Sequence, residues 1–222
     1  MTPGADRQSL IDPDILLRAY GAGLFPMADP ATGSISWHSP DPRAILELGD
    51  LKVARSLARV LKRKTYSVTV DAAFERVVRS CRRPQTWISE TIVQSYLRLH
   101  ERAVAHSLEC WSGDRLAGGL YGVCLGAAFF GESMFSAVPD ASKVAICGLS
   151  HALLERNYHF IDCQMMSAHL ASLGARSLPR REFLQRLAAA TQGPLAPDPG
   201  WRDTSFALPQ AFMQNSRGSR GR

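Results

Sequence analysis

The 222-residue sequence predicts an α+β fold built around a mixed sheet. Three observations carry that expectation. Strand-like runs at 106–111, 116–123 and 127–134 follow one another, joined by Ser112-Gly113-Asp114 and by a turn at Gly126. This spacing reads as an antiparallel meander. A helical stretch at 142–156, capped by Ser142 or Asp140, then leads to a strand at 158–164. Meander strand, helix and strand form one βαβ unit, which requires a parallel pair. Helices on both sides of this block supply the layers that cover the sheet.

The elements follow in order. Residues 12–20 read as a helix, with Pro13 in its first turn and Leu16, Leu17 and Tyr20 at helical spacing, ended by Gly21 and Gly23. Residues 25–42 hold the segment Phe25-Pro26-Met27 and the run WHSPDPR, and their prolines predict a shaped loop. Residues 51–64 are helical, with Leu57, Val60 and Leu61 inward. A strand at 66–70 follows, and Asp71 is expected to cap a helix to about Cys81. Ser89 caps a helix to about Arg102. Beyond the last strand, 169–173 is a short helix stopped by Gly174, and Pro179 opens a helix to about Thr191. The segment from Pro194 onward is Pro-rich, and 206–222 is expected to be a basic flexible tail. This order is the same as in the acetyltransferase superfamily. The expected organisation is a small N-terminal domain at 1–45 and an acetyltransferase-like, GNAT-type domain with a mixed sheet at 46–205.

Composition narrows the function. The longest uncharged apolar run lies between Arg115 and Glu132 and contains five glycines, so no membrane span is expected. The first residues lack the basic flank and apolar stretch of a signal peptide, and five cysteines without a CxxC pair suit a reducing compartment. The expected location is the cytoplasm. With 26 basic and 20 acidic residues the chain carries a net charge of +6, which permits a polyanionic partner.

The placement of charge is more informative. Arg55, Arg59, Lys62 and Arg63 fall at i, i+4, i+7 and i+8 on one helix, so four cations share a face. Such a stripe is either a solvated face or a phosphate contact. Two polar groups sit at ends of apolar strands: Glu132 between Gly131 and Ser133, and Asp162 with Gln164 on one face of another strand. They line a crevice or serve turn and cap chemistry. A CoA-binding acetyltransferase would carry a glycine-rich turn before the 142–156 helix. Here 134–143 reads MFSAVPDASK, without glycine and with Asp140 where an anion would sit. P-loop, HExxH and GxSxG motifs are absent, and the six histidines show no ligand spacing. No metal and no cofactor are expected.

The segments GLFPM, WHSPDPR, TWI, HSLECW, GGLYGV, FFGESMFS, DASK, DCQ and HLASLGAR followed by PRREFL resemble the successive signatures of leucyl/phenylalanyl-tRNA–protein transferases. They run in the family's order from about residue 12 to 190. The resemblance implies an enzyme that moves Leu, Phe or less readily Met from aminoacyl-tRNA to proteins beginning with Arg or Lys. That transfer creates a destabilising N-terminus for proteolysis. Aminolysis of the ester needs neither ATP nor metal, and an α-amine is partly neutral at cytoplasmic pH.

The resemblance also implies site residues. Gln164 orients or accepts from the attacking amine, Asp162 aligns it, and Glu132 with Asp162 supplies charge for the cationic acceptor. Leu120, Phe129, Met134, Leu149 and Ile161 form the amino-acid pocket. Trp87 stacks on the terminal adenosine, and Arg55, Arg59, Lys62 and Arg63 contact the tRNA backbone. Met27 and His38 stand where the family often has aromatics. The expected protein is a monomer with tRNA and acceptor proteins as partners. The alternatives are an acyltransferase with a different acceptor, such as a cell-wall aminoacyltransferase, and an RNA-binding module using only the basic helix.

Overall fold

The structure is a computed structural model that describes residues 10–192 and Trp201. The expected Pro-rich segment and the expected tail at 206–222 lie outside the described residues.

The chain opens with α1 (Pro13–Gly21), whose N-terminus is held by Asp12: its Oδ1 accepts from the backbone N–H of Asp14 at 2.8 Å. The expected loop at 25–42 folds differently. Phe25–Ala28 (β1) and Ile35–His38 (β2) pair antiparallel in a two-stranded sheet of their own, and Arg43–Glu47 (β3) enters the main sheet. The prolines at 26, 40 and 42 fall at strand margins or between strands, positions where a missing N–H costs no ladder bond. A single 3₁₀ turn (Leu48–Asp50) leads to α2 (Arg55–Arg63), β4 (Ser67–Val70) and α3 (Phe74–Ser80).

Asp71 does not cap α3. It takes a left-handed conformation (φ 57°), and its carboxylate accepts from Ser107 N–H at 2.9 Å and pairs with His106 Nδ1 at 2.8 Å. A short carboxylate beside a neighbouring strand satisfies that strand's donors instead of those of its own helix. Ser89 does cap α4 (Glu90–Glu101) through Ile92 N–H.

The meander is β5 (Ala105–Ser112), β6 (Arg115–Leu125) and β7 (Ala128–Ser136), followed by α5 (Ala141–Glu155) and β8 (Phe160–Gln164). Asp140 occupies the cap position of α5 but its side chain binds Lys143 at 2.8 Å, and Ser142 lies within the helix. The capping acceptor comes from β7 instead: Ser136 Oγ takes the Ser142 N–H at 3.2 Å. Gly118 lets this helix end sit on β6, since a Cβ there would lie 2.7 Å from that of Ala141. The chain closes with α6 (Ala168–Ser172), β9 (Arg176–Leu178), which periodicity over three residues could not announce, and α7 (Arg180–Ala190).

The main sheet runs β4-β5-β6-β7-β8-β3-β9, mixed because β7 and β8 are parallel while every other neighbour is antiparallel. The expected βαβ unit is therefore present. Apolar side chains gather on both faces. One cluster joins Leu16, Phe74, Ile92, Tyr96 and Phe183 of α1, α3, α4 and α7, and the other joins Leu57 and Leu61 of α2 to Val144, Leu149 and Leu153 of α5. The fold is thus α+β, with a seven-stranded mixed sheet and a small N-terminal hairpin. No helix among the described residues is long and apolar enough to cross a membrane.

Candidate active site

β7 and β8 run parallel through three pairs, Ala128 with Phe160, Phe129 with Ile161 and Phe130 with Asp162, and then stop pairing. Glu132 and Gln164 each come two residues past the last pair. On its other side β7 carries a bulge: Gly122 pairs with Gly131 and Tyr121 with Ser133, which leaves Glu132 as the extra residue. The extra residue resets the alternation of side chains. Phe130 and Phe135 pack on the α4 face, whereas Met134 joins Phe129 on the α5 face. Gly122 permits the tight pairing here, because a Cβ would lie 2.1 Å from Phe130 O.

The bulge delivers Glu132 into a buried polar knot. Its Oε1 accepts from Tyr20 Oη at 2.7 Å and from Gln164 Nε2 at 2.9 Å, and its Oε2 accepts from Tyr96 Oη at 2.8 Å. Tyr20 and Tyr96 also hydrogen-bond to each other. The two phenols and the carboxyl thus make three contacts, which need three protons, and the phenols supply two. The ring is complete when Glu132 carries the third on Oε2 and gives it to Tyr96, which then donates to Tyr20. Burial pushes Glu132 up from 4.5 to about 7, with the two tyrosines pulling it down and Asp162 adding repulsion.

Asp162 lies behind this knot and is fully buried. Arg43 holds it with two parallel bonds, Nε to Oδ1 at 2.9 Å and Nη2 to Oδ2 at 2.6 Å. Arg43 is equally buried; its Nη1 donates to Gly23 O, and its guanidinium lies between the rings of Phe25 and Phe183. Burial raises Asp162, and the guanidinium opposes that rise. Asp162 Oδ1 also takes the backbone N–H of Gln164 at 2.9 Å. Gln164 itself has φ 62°, a left-handed conformation that costs a non-glycine residue about 1 kcal/mol or more. Asp162 anchors its backbone and Glu132 its amide nitrogen, so the amide oxygen is the end left to meet a ligand.

A cavity of about 560 Å³ opens where the two strands part. Its apolar wall is Leu120, Met134, Ile146, Leu149 and Ile161, and its polar members include Glu132, Ser133, Gln164 and His169. Arg83 stands at its edge, and Tyr121 and Phe135 enter from the α4 face. Lining residues therefore come from both faces of the sheet. Burial, then Lys143, lowers His169, while burial raises the Cys163 thiol.

Comparison with known proteins identifies the chain. The family model described as leucyl/phenylalanyl-tRNA protein transferase matches residues 45–188, and the model for that family's N-terminal domain matches 10–41. The leucyl/phenylalanyl-tRNA–protein transferase of Rubrobacter xylanophilus is 52% identical over 182 residues, 81% of this chain and 95% of that protein. The one from Anaeromyxobacter dehalogenans strain 2CP-C is 52% identical over 190 residues, 83% of this chain and 81% of that protein.

The chain belongs to the leucyl/phenylalanyl-tRNA–protein transferase family.

Among solved structures, a similar chain is the C-terminal domain of a putative lysylphosphatidylglycerol synthetase from Agrobacterium fabrum. It is 12% identical, covers 83% of this chain and 72% of that one, and has a TM-score of 0.45.

The structure distributes the family-implied residues unevenly. Glu132, Gln164, Leu120, Met134, Leu149 and Ile161 meet at one cavity. Phe129 lies outside the lining, fully buried beneath it and stacked against Trp201. Asp162 is also outside the lining, its charge matched by Arg43. Trp87 is half-buried before α4, and its carbonyl accepts from Ala28 N–H at the end of β1. Met27, on β1, packs against the same apolar cluster as Trp87, and His38 at the end of β2 bonds Ser36. Arg55, Arg59, Lys62 and Arg63 are all exposed on α2.

Sequence reasoning missed Arg43, Tyr20, Tyr96, Tyr121 and Ile146. Arg43 had one signal, as the last residue of the WHSPDPR run. Tyr121 had the same kind of signal, as the tyrosine of GGLYGV. Tyr20 and Tyr96 had none, because each sits at an ordinary inward helix position.

Proposed function

We propose that the cavity between β7 and β8 is where an amino acid leaves tRNA and joins the N-terminus of a protein. As a member of its family the chain is an aminoacyltransferase. The observation that carries the reading is one space with an apolar wall at Leu120, Met134, Ile146, Leu149 and Ile161 and a hydrogen-bonding mouth at Glu132 and Gln164. Its volume of about 560 Å³ is of the size that holds a small ligand, here a Leu or Phe side chain with its ester. Met134 is unbranched and adapts to either shape.

In this reading the acceptor α-amine approaches Gln164, whose amide oxygen accepts from it and aims its lone pair at the ester carbonyl carbon. Positioning is the main service, since an ester is already activated and the amine partly neutral. The carbon–nitrogen bond forms, the bond to the ribose oxygen breaks, and the amine proton goes to that oxygen. A carboxyl held near 7, as Glu132 is, both gives and takes a proton readily at neutral pH. Its charge also suits an acceptor whose first side chain is Arg or Lys. Asp162 acts as a positioning residue through Gln164, because its own charge is matched by Arg43.

The exposed cations of α2 contact the tRNA backbone, and Trp87 stacks on the terminal adenosine. We further propose an acetyltransferase-like arrangement of the main sheet. We place the limit of the N-terminal unit near residue 45, within β3, because β1 and β2 ahead of it form a separate sheet. The free cysteines favour the cytoplasm, where the transfer exposes a destabilising N-terminus. A monomer suffices for a site built by one chain.

The test is direct: incubate the protein with radiolabelled Phe-tRNA and a protein beginning with Arg. Label in the N-terminal residue is the expected result. Label elsewhere, or tRNA binding without transfer, would overturn the reading.

A further inference from the structure

Buried polar side-chain atoms without a partner are uncommon, because each loses its water without gaining a bond. Among the described residues there are three: Tyr121 Oη, His169 Nε2 and Trp201 Nε1. Two of the three belong to residues lining the cavity between β7 and β8. Tyr121 is the more telling, since its side chain is wholly buried. Its ring is fixed edge-on against Tyr96 at 5.5 Å and Phe74 at 6.1 Å between centroids. The hydroxyls of Tyr20 and Tyr96 both hydrogen-bond to Glu132, and that of Tyr121 bonds to nothing.

Strand register says what such a donor would meet. Leu120, in the apolar wall, pairs with Met134; Tyr121 pairs with Ser133; Glu132 comes next as the bulge. Tyr121 therefore lies between the wall that receives the amino-acid side chain and the Glu132–Gln164 mouth that receives the amine. When the acceptor amine attacks an aminoacyl ester, the carbonyl lies between that amine and the carbon that bears the amino-acid side chain.

We propose that the Tyr121 hydroxyl donates a hydrogen bond to the carbonyl oxygen of the aminoacyl ester and stabilises the oxyanion that forms on it. The inference rests on the transferase reading above. When the amine nitrogen bonds to the carbonyl carbon, the π pair moves to oxygen, and the Tyr121 O–H is aimed at that charge. On collapse the pair returns, the bond to the ribose oxygen breaks, and the amine proton goes to that oxygen. Tyr121 keeps its own proton throughout. Burial and the nearby Glu132 hold the phenol in its protonated, donating form.

The test is single-turnover transfer of labelled Phe from Phe-tRNA to a peptide beginning with Arg, at saturating enzyme, with wild type and Tyr121→Phe. Phe-tRNA affinity and Tm are measured alongside. The substitution removes one oxygen that has no partner in the fold, so Tm should be no lower than that of the wild type. Transfer should slow by about 10²-fold or more, the usual loss of one oxyanion donor, with Phe-tRNA affinity within about threefold. If wild type transfers and Tyr121→Phe does so within twofold, the proposal fails and the transferase reading stands. If Tm falls by several degrees together with the rate, the hydroxyl is structural and the proposal also fails. If wild type transfers nothing, the parent reading falls and this one with it.

Discussion

Gln164 donates from Nε2 to Glu132 Oε1 at 2.9 Å across the gap where β7 and β8 have ceased to pair. One side chain thus takes the place of the next backbone ladder bond. The Gln164–Glu132 bond occupies the amide nitrogen and leaves the amide oxygen to meet a ligand. Gln164→Ala should leave Glu132 with one donor fewer and the amine without its acceptor. Single-turnover transfer is expected to fall by about 10²-fold, the scale of one positioned polar group. An unchanged rate would remove Gln164 from the mechanism.

The burial of Glu132 sets a pH dependence of stability. Its folded value of about 7 lies above its ordinary 4.5, so between those two values the native state binds more protons than the unfolded state. The associated stability is complete below about 4.5 and is lost as pH rises through about 7. At about 1.4 kcal/mol per unit the loss is on the order of 3 kcal/mol. Glu132→Gln cannot ionise and should lack this component. Urea unfolding at pH 5 and pH 8 would reveal it as a decline in wild type that is smaller in the variant. Equal declines would mean that Glu132 is ionised without cost.

Arg43 and Asp162 form a buried pair whose members depend on each other. Removing one leaves an unpaired buried charge, so Arg43→Met is expected to lower stability by about 3–5 kcal/mol. Arg43→Met combined with Asp162→Leu should recover much of that loss, because neither charge remains. The double variant should stay poorly active, since Gln164 N–H loses its acceptor at a strained position. Denaturant unfolding beside a transfer assay separates the two effects.

Ile146 lies in the cavity wall on α5. Ile146→Phe narrows the space and should reduce transfer of Phe more than that of Leu, by about tenfold in the ratio of kcat/KM. Competition between Leu-tRNA and Phe-tRNA in one reaction measures that ratio. A ratio unchanged from wild type would place the amino-acid side chain elsewhere.

The α2 cations face solvent, so charge reversal at Arg55 and Arg63 should leave Tm nearly unchanged. Affinity for Phe-tRNA should fall, and the slope of log affinity against log salt should shrink by about one for each phosphate no longer neutralised. Binding that ignores both reversals would return the stripe to a solvated face.

Periodicity determined a good part of this protein. The meander, the α5 crossover and the parallel pair it imposes were legible because each rests on local alternation and turn residues. The cations of α2 were legible for the same reason. The resemblance to the family, by contrast, implied Glu132, Gln164 and most of the apolar wall as parts of one site. Other features had no local signal. β3 enters the sheet between β8 and β9, so its partners lie more than 110 residues away in sequence. Asp71 reads as a helix cap by position and instead serves His106 and Ser107 on a neighbouring strand.

Phe129 reads as a pocket residue, yet it lies under the cavity because the bulge at Glu132 turns Met134, not the residue an even alternation would bring, toward the α5 face. The Tyr20–Tyr96–Glu132 knot joins a helix at the start of the chain, a helix in its middle and a strand beyond it. Each tyrosine looks like an ordinary inward residue in its own helix, and nothing local joins either to Glu132. Sequence by itself determined which side chains face inward from each element, since that depends on local backbone period. Only the tertiary structure decided which of them meet, because bulges, register and burial arise from contacts between distant segments.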